Sequence, residues 1–589
     1  MSLKPVDDQS RNSVAAGPLK VRCPTLLKPY GLHRSTRRQC HTMPLSALPV
    51  ETCFRKVLEY HEGSKHHPNR FAPGPGHLDW ANEPDPFRRY EGAPLFRLPF
   101  LAEDPDVNHF GLYQCRVTPR ALTFPAVAAL LELSLGLSAW KSYGGNSWSL
   151  RINPSSGDLH PTECHLLLPD MDGLPGGVFH YDSYHHALEH RASLPHEIWS
   201  AADEVFGRGG FLVGLSSIAW REAWKYGVRA FRYCGQDLGH ALACLSFSAA
   251  LFGWRVIWLN AVADEEVAAL FGLDRCRWPE QEEEIPQCLL LVQTDRGPES
   301  PRDLPPGWLS AFSGISFTGV PNRLSAEHRR WLAIEEVTAA TGKPRTPATA
   351  CRHPESGYLE GEIPGATAAG SIRRRRSALA FDPRTFLSGE HFFAMLDKTL
   401  PRAGSAPFDL VAEESCVHLF LFVHRVQGVE PGLYFLVRNG GDLEELQREC
   451  SPRFLWQRVP ATEPLPLFLL LEGKCEAEAT LAGCGQEIAG DGAFSAAMVA
   501  RFRSLLEKAP WRYRHLHWEA GIIGQVLYLE AEAHGMRGTG MGCFFDDVTH
   551  RLLGLSGDAF QDLYHFTVGK AVDDPRLTTL PPYSHLRHP

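Results

Sequence analysis

Three blocks of sequence occur twice, in the same order, in this chain of 589 residues. A repeat on that scale has to be read before any single motif, because it fixes the architecture. The first block is a helix-like segment, residues 125–136 (PAVAALLELSLG) and 389–400 (GEHFFAMLDKTL), the latter with Phe392, Met395, Leu396 and Leu400 on one face. The second is strand, turn, strand: His165 to Leu168 leads into GLPGGVFHYD and His418 to Val423 into GVEPGLYFLV, each turning at a Pro-Gly step. The third opens with a long helix, 237–252 and 521–534, closed by Gly253 or Gly535, which take up a left-handed cap without Cβ strain. An extended stretch and a short acidic-apolar helix follow each, finishing at Leu270-Phe271-Gly272-Leu273 or Leu552-Leu553-Gly554-Leu555.

The repeats divide the chain into a first half, 116–297, and a second half, 371–589. Residues 298–370 form a Pro-, Gly- and Ser-rich linker with one expected helix over 325–341, and 50–115 a lead-in that is helical and then rich in Pro and aromatics. Residues 1–49 read as a disordered basic tail (Lys4, Arg11, Lys20, Arg22, Lys28, Arg34, Arg37, Arg38), with an organelle transit segment as the alternative. A chain this long needs more than one core. With 44% hydrophobic and 22% charged residues it reads as a soluble folded protein. A net charge of −9 gives no drive toward nucleic acid, and no run of about eighteen uncharged apolar residues is present to span a membrane. The fifteen cysteines are scattered without a CxxC pair, which fits reduced thiols and a cytoplasmic location, a mitochondrial one being the alternative. His186 with His190 and His515 with His517 lack an acid or thiol at metal-ligand spacing, so no metal is expected.

Four strings carry chemistry. Arg375, Arg376 and Ser377 end the run Ser371-Ile372-Arg373-Arg374-Arg375-Arg376-Ser377, and guanidinium forks beside a hydroxyl suit a phosphate monoester; a solvated arginine face is the commoner use of such a run. Gly540, Met541 and Gly542 close Arg537-Gly538-Thr539-Gly540-Met541-Gly542, where missing side chains let backbone amides approach a flat ring or an anion, unless the segment is simply a turn. Pro154, Ser155, Ser156 and Gly157 make a loop between two prolines that offers hydroxyls and bare amides, an arrangement an ordinary turn also produces. Lys225 and Tyr226 could supply a proton acceptor and a donor at one reacting centre, although alone they would more often be a surface pair.

Together these strings resemble the nitroreductase superfamily, and within it the SagB-type dehydrogenases, which include flavin enzymes that oxidise azolines in peptide natural products. The resemblance implies an α+β fold of two nitroreductase-like halves that form an intrachain pseudo-dimer. It also implies FMN between the halves, with Arg375, Arg376, Ser377 and a C-terminal Arg576 at the phosphate and Gly540 to Gly542 and Pro154 to Gly157 at the ring. Lys225 and Tyr226 look like that family's Lys-Tyr proton-transfer pair. Leu379 stands where the family often has Arg or Lys. The first half lacks an Arg-x-Ser and carries bulky Trp254 to Leu259 in place of the glycines, while the second lacks a Pro-Ser-Ser-Gly loop, so the losses are complementary and leave one composite site. The expectation is a monomeric FMN-dependent oxidoreductase acting on a small-molecule or peptide-like substrate. NAD(P)H is an eligible electron donor although no Gly-x-Gly-x-x-Gly unit is present, and a catalytically silent scaffold of the same fold is the alternative.

Overall fold

The computed structural model describes residues 48–587 except 115–116, 201–208, 296, 298–301, 306, 359–362, 364 and 461–464. The basic tail therefore falls outside the described residues, save its last two. Two seven-stranded sheets dominate. In spatial order the first runs Leu95–Arg97, Ala187–Ser193, Gly177–Asp182, Thr162–Leu168, Phe211–Ser217, Ile285–Gln293, Arg255–Trp258. The second runs Gln457–Arg458, Leu467–Glu472, Gly432–Leu436, Val417–Val423, Phe494–Arg501, Phe560–Gly569, Arg537–Met541. The expected strand-turn-strand units are antiparallel pairs, with Leu166 opposite Phe179 in one and Phe420 opposite Phe435 in the other.

The central strands are apolar on both faces because both faces are covered. In Thr162–Leu168, Leu166 and Leu168 face a core shared with the helices while Leu167 faces a separate one on the outer side. Val417–Val423 does the same, with Leu419 and Leu421 toward the shared core and Phe420 and Phe422 away from it. That is the period-2 alternation of a strand written entirely in hydrophobic residues.

Two long helices, Ala230–Ala250 and Arg512–Ala533, are packed together in the shared core. Both begin well before the residues that periodicity suggests, at 230 rather than 237 and at 512 rather than 521. Their first two turns carry Arg232, Tyr233, Arg514 and His517, polar and aromatic residues that read as surface yet are buried. Arg232 donates to Asp546 at 2.6 Å and Arg514 to Asp264 at 2.7 Å. Both members of the second pair are offset from the matching members of the first by the same 282 positions (232 to 514, 264 to 546). Asp264 and Asp546 each open the short helix that ends at a left-handed glycine, Gly272 (φ 66°) or Gly554 (φ 77°).

The connecting stretch packs onto the first half. Leu304, Trp308 and Phe312 fill the core on the outer side of the first sheet, and Leu324, Trp331 and Ile334 fill another. Its helix is Leu332–Ala340, shorter than 325–341. The amides of Leu324 and Ser325 donate instead to the Glu282 carboxylate at 2.8–2.9 Å, which holds that segment outside the helix. A hairpin, Leu137–Tyr143 with Asn146–Arg151, turns at Gly144-Gly145, both at positive φ. The C-terminal strand Thr578–Leu580 adds to its edge.

Candidate functional site

The arginine run sorts itself by the geometry of one short helix, Ala368–Arg374, whose N-cap Thr367 accepts from the Gly370 amide. Arg373 pairs with Asp104 and Glu132, and Arg374 with Glu532. Arg375, just past the helix, turns inward and is 4% exposed. Its Nη2 donates to the Arg151 carbonyl at 3.0 Å and its guanidinium lies 5.1 Å from the centre of the Tyr528 ring. Its Nε, buried, has no hydrogen-bond partner among the described residues. Arg376 donates to three carbonyls, those of Arg373, Arg375 and Ser138, and burial with the charge of Arg375 pushes it down to about 10. Ser377 shares a 2.7 Å hydrogen bond with the Tyr528 hydroxyl, which also accepts from the Gly540 amide at 3.0 Å.

The glycines of the strand Arg537–Met541 and the residue after it are required for a reason other than ring or anion access. Gly538, Gly540 and Gly542 alternate, so their missing Cβ atoms would point to one face of the sheet. A Cβ there would lie 2.5 Å from Phe566 Cζ, 1.8 Å from Tyr564 Oη and 2.2 Å from Tyr233 Cε1. The space belongs to aromatic side chains. Tyr564 Oη hydrogen-bonds His240 at 3.1 Å, and Tyr233 meets Tyr226 edge to face at 4.7 Å.

From the first half, Pro154 to Gly157 folds over the Lys225-Tyr226 pair. Gly157 has φ 64°, and a Cβ on it would sit 2.5 Å from Tyr226 Oη and 2.7 Å from Lys225 Nζ. Lys225 donates to the Gly157 carbonyl at 3.4 Å. The loop is pinned from below: Ser156 donates through its amide and its hydroxyl to Asp237, and Ser155 Oγ accepts from the His160 amide at 2.8 Å. Burial pushes the Asp237 carboxyl up to about 7 and that of Asp158 up to about 6. Glu222, one turn before Lys225, is fully buried, and both its carboxylate oxygens lack a partner among the described residues. Burial, with Asp237 beside it, holds that carboxyl well above the usual range. Burial likewise raises the Tyr226 phenol, with Glu222 adding to the effect, so the hydroxyl keeps its proton at neutral pH.

Contacts thus run from Lys225, Tyr226 and Gly157 through Tyr233 to Gly542, and from Gly540 through Tyr528 to Ser377 and Arg375. Met541 is buried on the opposite face of its strand, in the outer core of the second sheet. Arg576 stands apart: it is bonded to Asp574 and lies 5.5 Å from the centre of the Tyr143 ring, with no contact to the Arg375–Ser377 segment given by the structure. The residues that join the strings, Tyr233, Asp237, Tyr528 and Tyr564, were not singled out from the sequence. Their signal was weak, because each sits in an apolar helix or strand where a core role is the ordinary expectation.

No protein-family model and no curated protein matches the sequence. Among solved structures, the chain is similar to a putative nitroreductase from Anabaena variabilis, with a TM-score of 0.63 and 22% identity over 88% of this chain and 99% of that one. A putative nitroreductase from Ralstonia eutropha matches at TM-score 0.26 and 15% identity, over 38% of this chain and 95% of that one. The microcin synthetase complex of E. coli matches at TM-score 0.24 and 15% identity, over 34% and 70%. The first of these shows that the fold of this chain is nitroreductase-like, a mixture of helix and sheet.

Proposed function

We propose that the chain is an FMN-dependent oxidoreductase whose two halves form an intrachain pseudo-dimer with one flavin site, resembling the SagB-type dehydrogenases and acting on a small-molecule or peptide-like substrate. The observation that carries this reading is the convergence of Pro154–Gly157, Lys225 and Tyr226 from one half with Arg375, Ser377 and Gly540–Gly542 from the other. The six inner strands of the two sheets follow the same order, differing only in the edge strand, and this together with the paired ion bridges 282 positions apart supports the pseudo-dimer, since a two-fold interface requires each contact to recur with its partners exchanged.

The residues present fit the flavin phosphate on one structural test. The Arg375 Nε is buried without a partner, and Arg375, Arg376, Arg537 and Lys141 interact as a cluster of cations opposed by Asp573 and Glu532. A dianionic phosphate supplies the acceptor and the charge that such a cluster lacks. Arg375, Arg376 and Ser377 would hold that phosphate, and the Ser155–Gly157 loop the ring edge, with Gly540 and Gly542 making room for the tyrosines that link the two. FMN, when bound, supplies hydride transfer, with NAD(P)H as the electron donor in the reductive direction. The protein's part is to position: Tyr226 keeps a proton ready at its hydroxyl, and Lys225 sits over Gly157 as the group that takes one up.

The pseudo-equivalent position on the other side is filled. Trp258 stands 282 positions before Gly540, packed on His515 and Trp518, and its carbonyl accepts from Arg302. The cavity left there is about 30 Å³, room for a water or two and far below the hundreds of Å³ of a cofactor site. The test is a flavin titration of the purified chain followed by tryptophan and flavin fluorescence. One FMN per chain and a yellow protein are expected, and a colourless protein that leaves flavin fluorescence unchanged overturns the reading.

A further inference from the structure

Cys543 directly follows Gly540–Gly542 and is partly exposed. So is Cys484, which takes a left-handed φ of 58° in the turn after the helix Glu476–Ala482. Two bonds clamp that turn to the Cys543 segment. The Phe545 amide donates to the Ala482 carbonyl at 2.8 Å, and the Gln486 side chain donates to the Cys543 carbonyl at 2.9 Å. Across the clamp the Cys484 thiol and the His66 imidazole are the neighbours of the Cys543 sulfur. His66 accepts the Ala72 amide on Nδ1 at 2.9 Å, so its proton is on Nε2, the nitrogen left to face the sulfur. Arg229 adds a full positive charge nearby: it donates to the Gly542 carbonyl at 2.6 Å and lies over the Phe544 ring. Asp546, 3.6 Å from Arg229, opposes these charges from the next helix.

We propose that Cys543 and Cys484 form a thiol–disulfide exchange site, Cys543 as the attacking thiolate and Cys484 as the resolving thiol, acting on a small-molecule disulfide. The microenvironment is that of a reactive cysteine: electropositive, partly open and next to a second thiol. Cys484 and then His66 hold the Cys543 thiol below the usual thiol range against the opposing effect of burial. Cys484 is raised, chiefly by its bond to Cys543.

The Cys543 thiolate attacks one sulfur of the disulfide, the S–S bond breaks, and one thiolate leaves. Capping Cys543 removes the negative sulfur that kept Cys484 protonated. Cys484 then gives its proton to a leaving thiolate and attacks the Cys543 sulfur, which breaks the mixed disulfide and expels the second thiolate. Two cysteine sulfurs are oxidised and two sulfurs of the reagent are reduced, so no further oxidant is needed. The site stands independently of the flavin.

The test treats the purified full-length protein with oxidised glutathione at pH 6 and pH 8, followed by intact mass and peptide mapping. The native chain is expected to lose two hydrogens and to yield a Cys484–Cys543 peptide. Cys484→Ser is expected to stop at one glutathionyl group on Cys543. The Cys543 rate should fall markedly less between pH 8 and pH 6 than that of an ordinary thiol, which falls on the order of a hundredfold. His66→Gln should slow the reaction at pH 6 and spare it at pH 8. A native chain in which Cys543 reacts no faster than the other cysteines, or in which its rate falls with the ordinary thiols, overturns the proposal. Both readouts come from the native chain, so they hold even if a variant misfolds.

Discussion

Gly239 and Gly521 meet where the two long helices cross, each against the other helix's backbone: a Cβ on Gly239 would lie 2.1 Å from the Trp518 carbonyl oxygen, and one on Gly521 would lie 2.1 Å from that of Gln236. The contact is reciprocal, residue for residue, at the same 282-position offset as the ion pairs. Because the obstacle is backbone, no side chain can rotate away. Gly239→Ala or Gly521→Ala must push the helices apart and is expected to cost ~2 kcal/mol, in the range of overpacked cores. Gly314, with nothing within 4 Å of its Cβ position, is the control. Urea denaturation midpoints check this: equal midpoints for the Gly239 and Gly314 variants would show that the crossing is not tight.

The two reciprocal ion pairs are not electrostatically equal. Asp546, despite burial, is held far below the carboxylate range by Arg232 and then Arg229, whereas burial raises Asp264 even with Arg514 bonded to it. A carboxylate with a depressed folded value stabilises the fold above its unfolded value near 4 and loses that contribution as pH falls further. Asp546→Asn is therefore expected to cost ~3 kcal/mol at pH 7, the scale of a broken buried pair, and progressively less below pH 4. Asp264→Asn should cost less than that, because burial offsets the pair's attraction there. Stability measured from pH 3 to 7 for both variants decides it, and equal losses at pH 7 would contradict the asymmetry.

A second buried network lies in the first half. His180 is bonded to Glu163 at 3.1 Å on one ring nitrogen and to Glu189 at 2.8 Å on the other. Burial opposes its charge, but those two carboxylates win and raise it to about 9. A raised histidine stabilises fully below its unfolded value near 6.5, and that contribution is lost as pH rises through about 9. His180→Gln is expected to lose a few kcal/mol at pH 6, and the gap to the native chain should narrow between pH 7 and pH 9.5. Thermal melts across that range test it; a constant gap would mean that His180 is neutral in the fold.

How much of this was legible in the sequence depends on what kind of residue carried it. The repeated blocks announced two equivalent sheets because strand hydrophobicity and capping glycines such as Gly253 and Gly535 are local signals. The helix starts were hidden because Arg232 and Arg514 are ionic partners of residues far along the chain, and periodicity cannot see a partner. In the arginine run only the resemblance, through Ser377, set Arg375 and Arg376 apart from Arg373 and Arg374; composition and spacing did not. The helix end at Arg374 turns the Arg375 guanidinium inward and leaves Arg373 on Asp104 and Glu132 and Arg374 on Glu532. The glycines at 538, 540 and 542 were visible as a pattern, but the tyrosines and the phenylalanine that require them come from elements up to some 300 residues away.

The last prediction separates holding a flavin from using it. Arg375 is buried with an unpaired Nε, and Ser377 is tied to Tyr528, so Arg375→Ala is expected to weaken FMN binding on the order of a hundredfold, as loss of a charge-assisted bond does, and to leave riboflavin binding nearly unchanged. Arg576→Ala should change neither by more than about twofold, because its guanidinium is already bonded to Asp574 at the surface. Lys225→Ala and Tyr226→Phe touch the Gly157 loop but none of the cationic cluster. They should bind FMN within roughly threefold of the native chain and lose turnover by about two to four powers of ten, the range of general acid–base groups. Fluorescence titration with FMN and riboflavin, beside reduction of a quinone or nitroaromatic with NAD(P)H, gives both readouts. If Arg375→Ala weakens FMN and riboflavin alike, the arginine does not meet the phosphate. If Lys225→Ala abolishes flavin binding, the lysine is part of the cradle and the proton-transfer role fails.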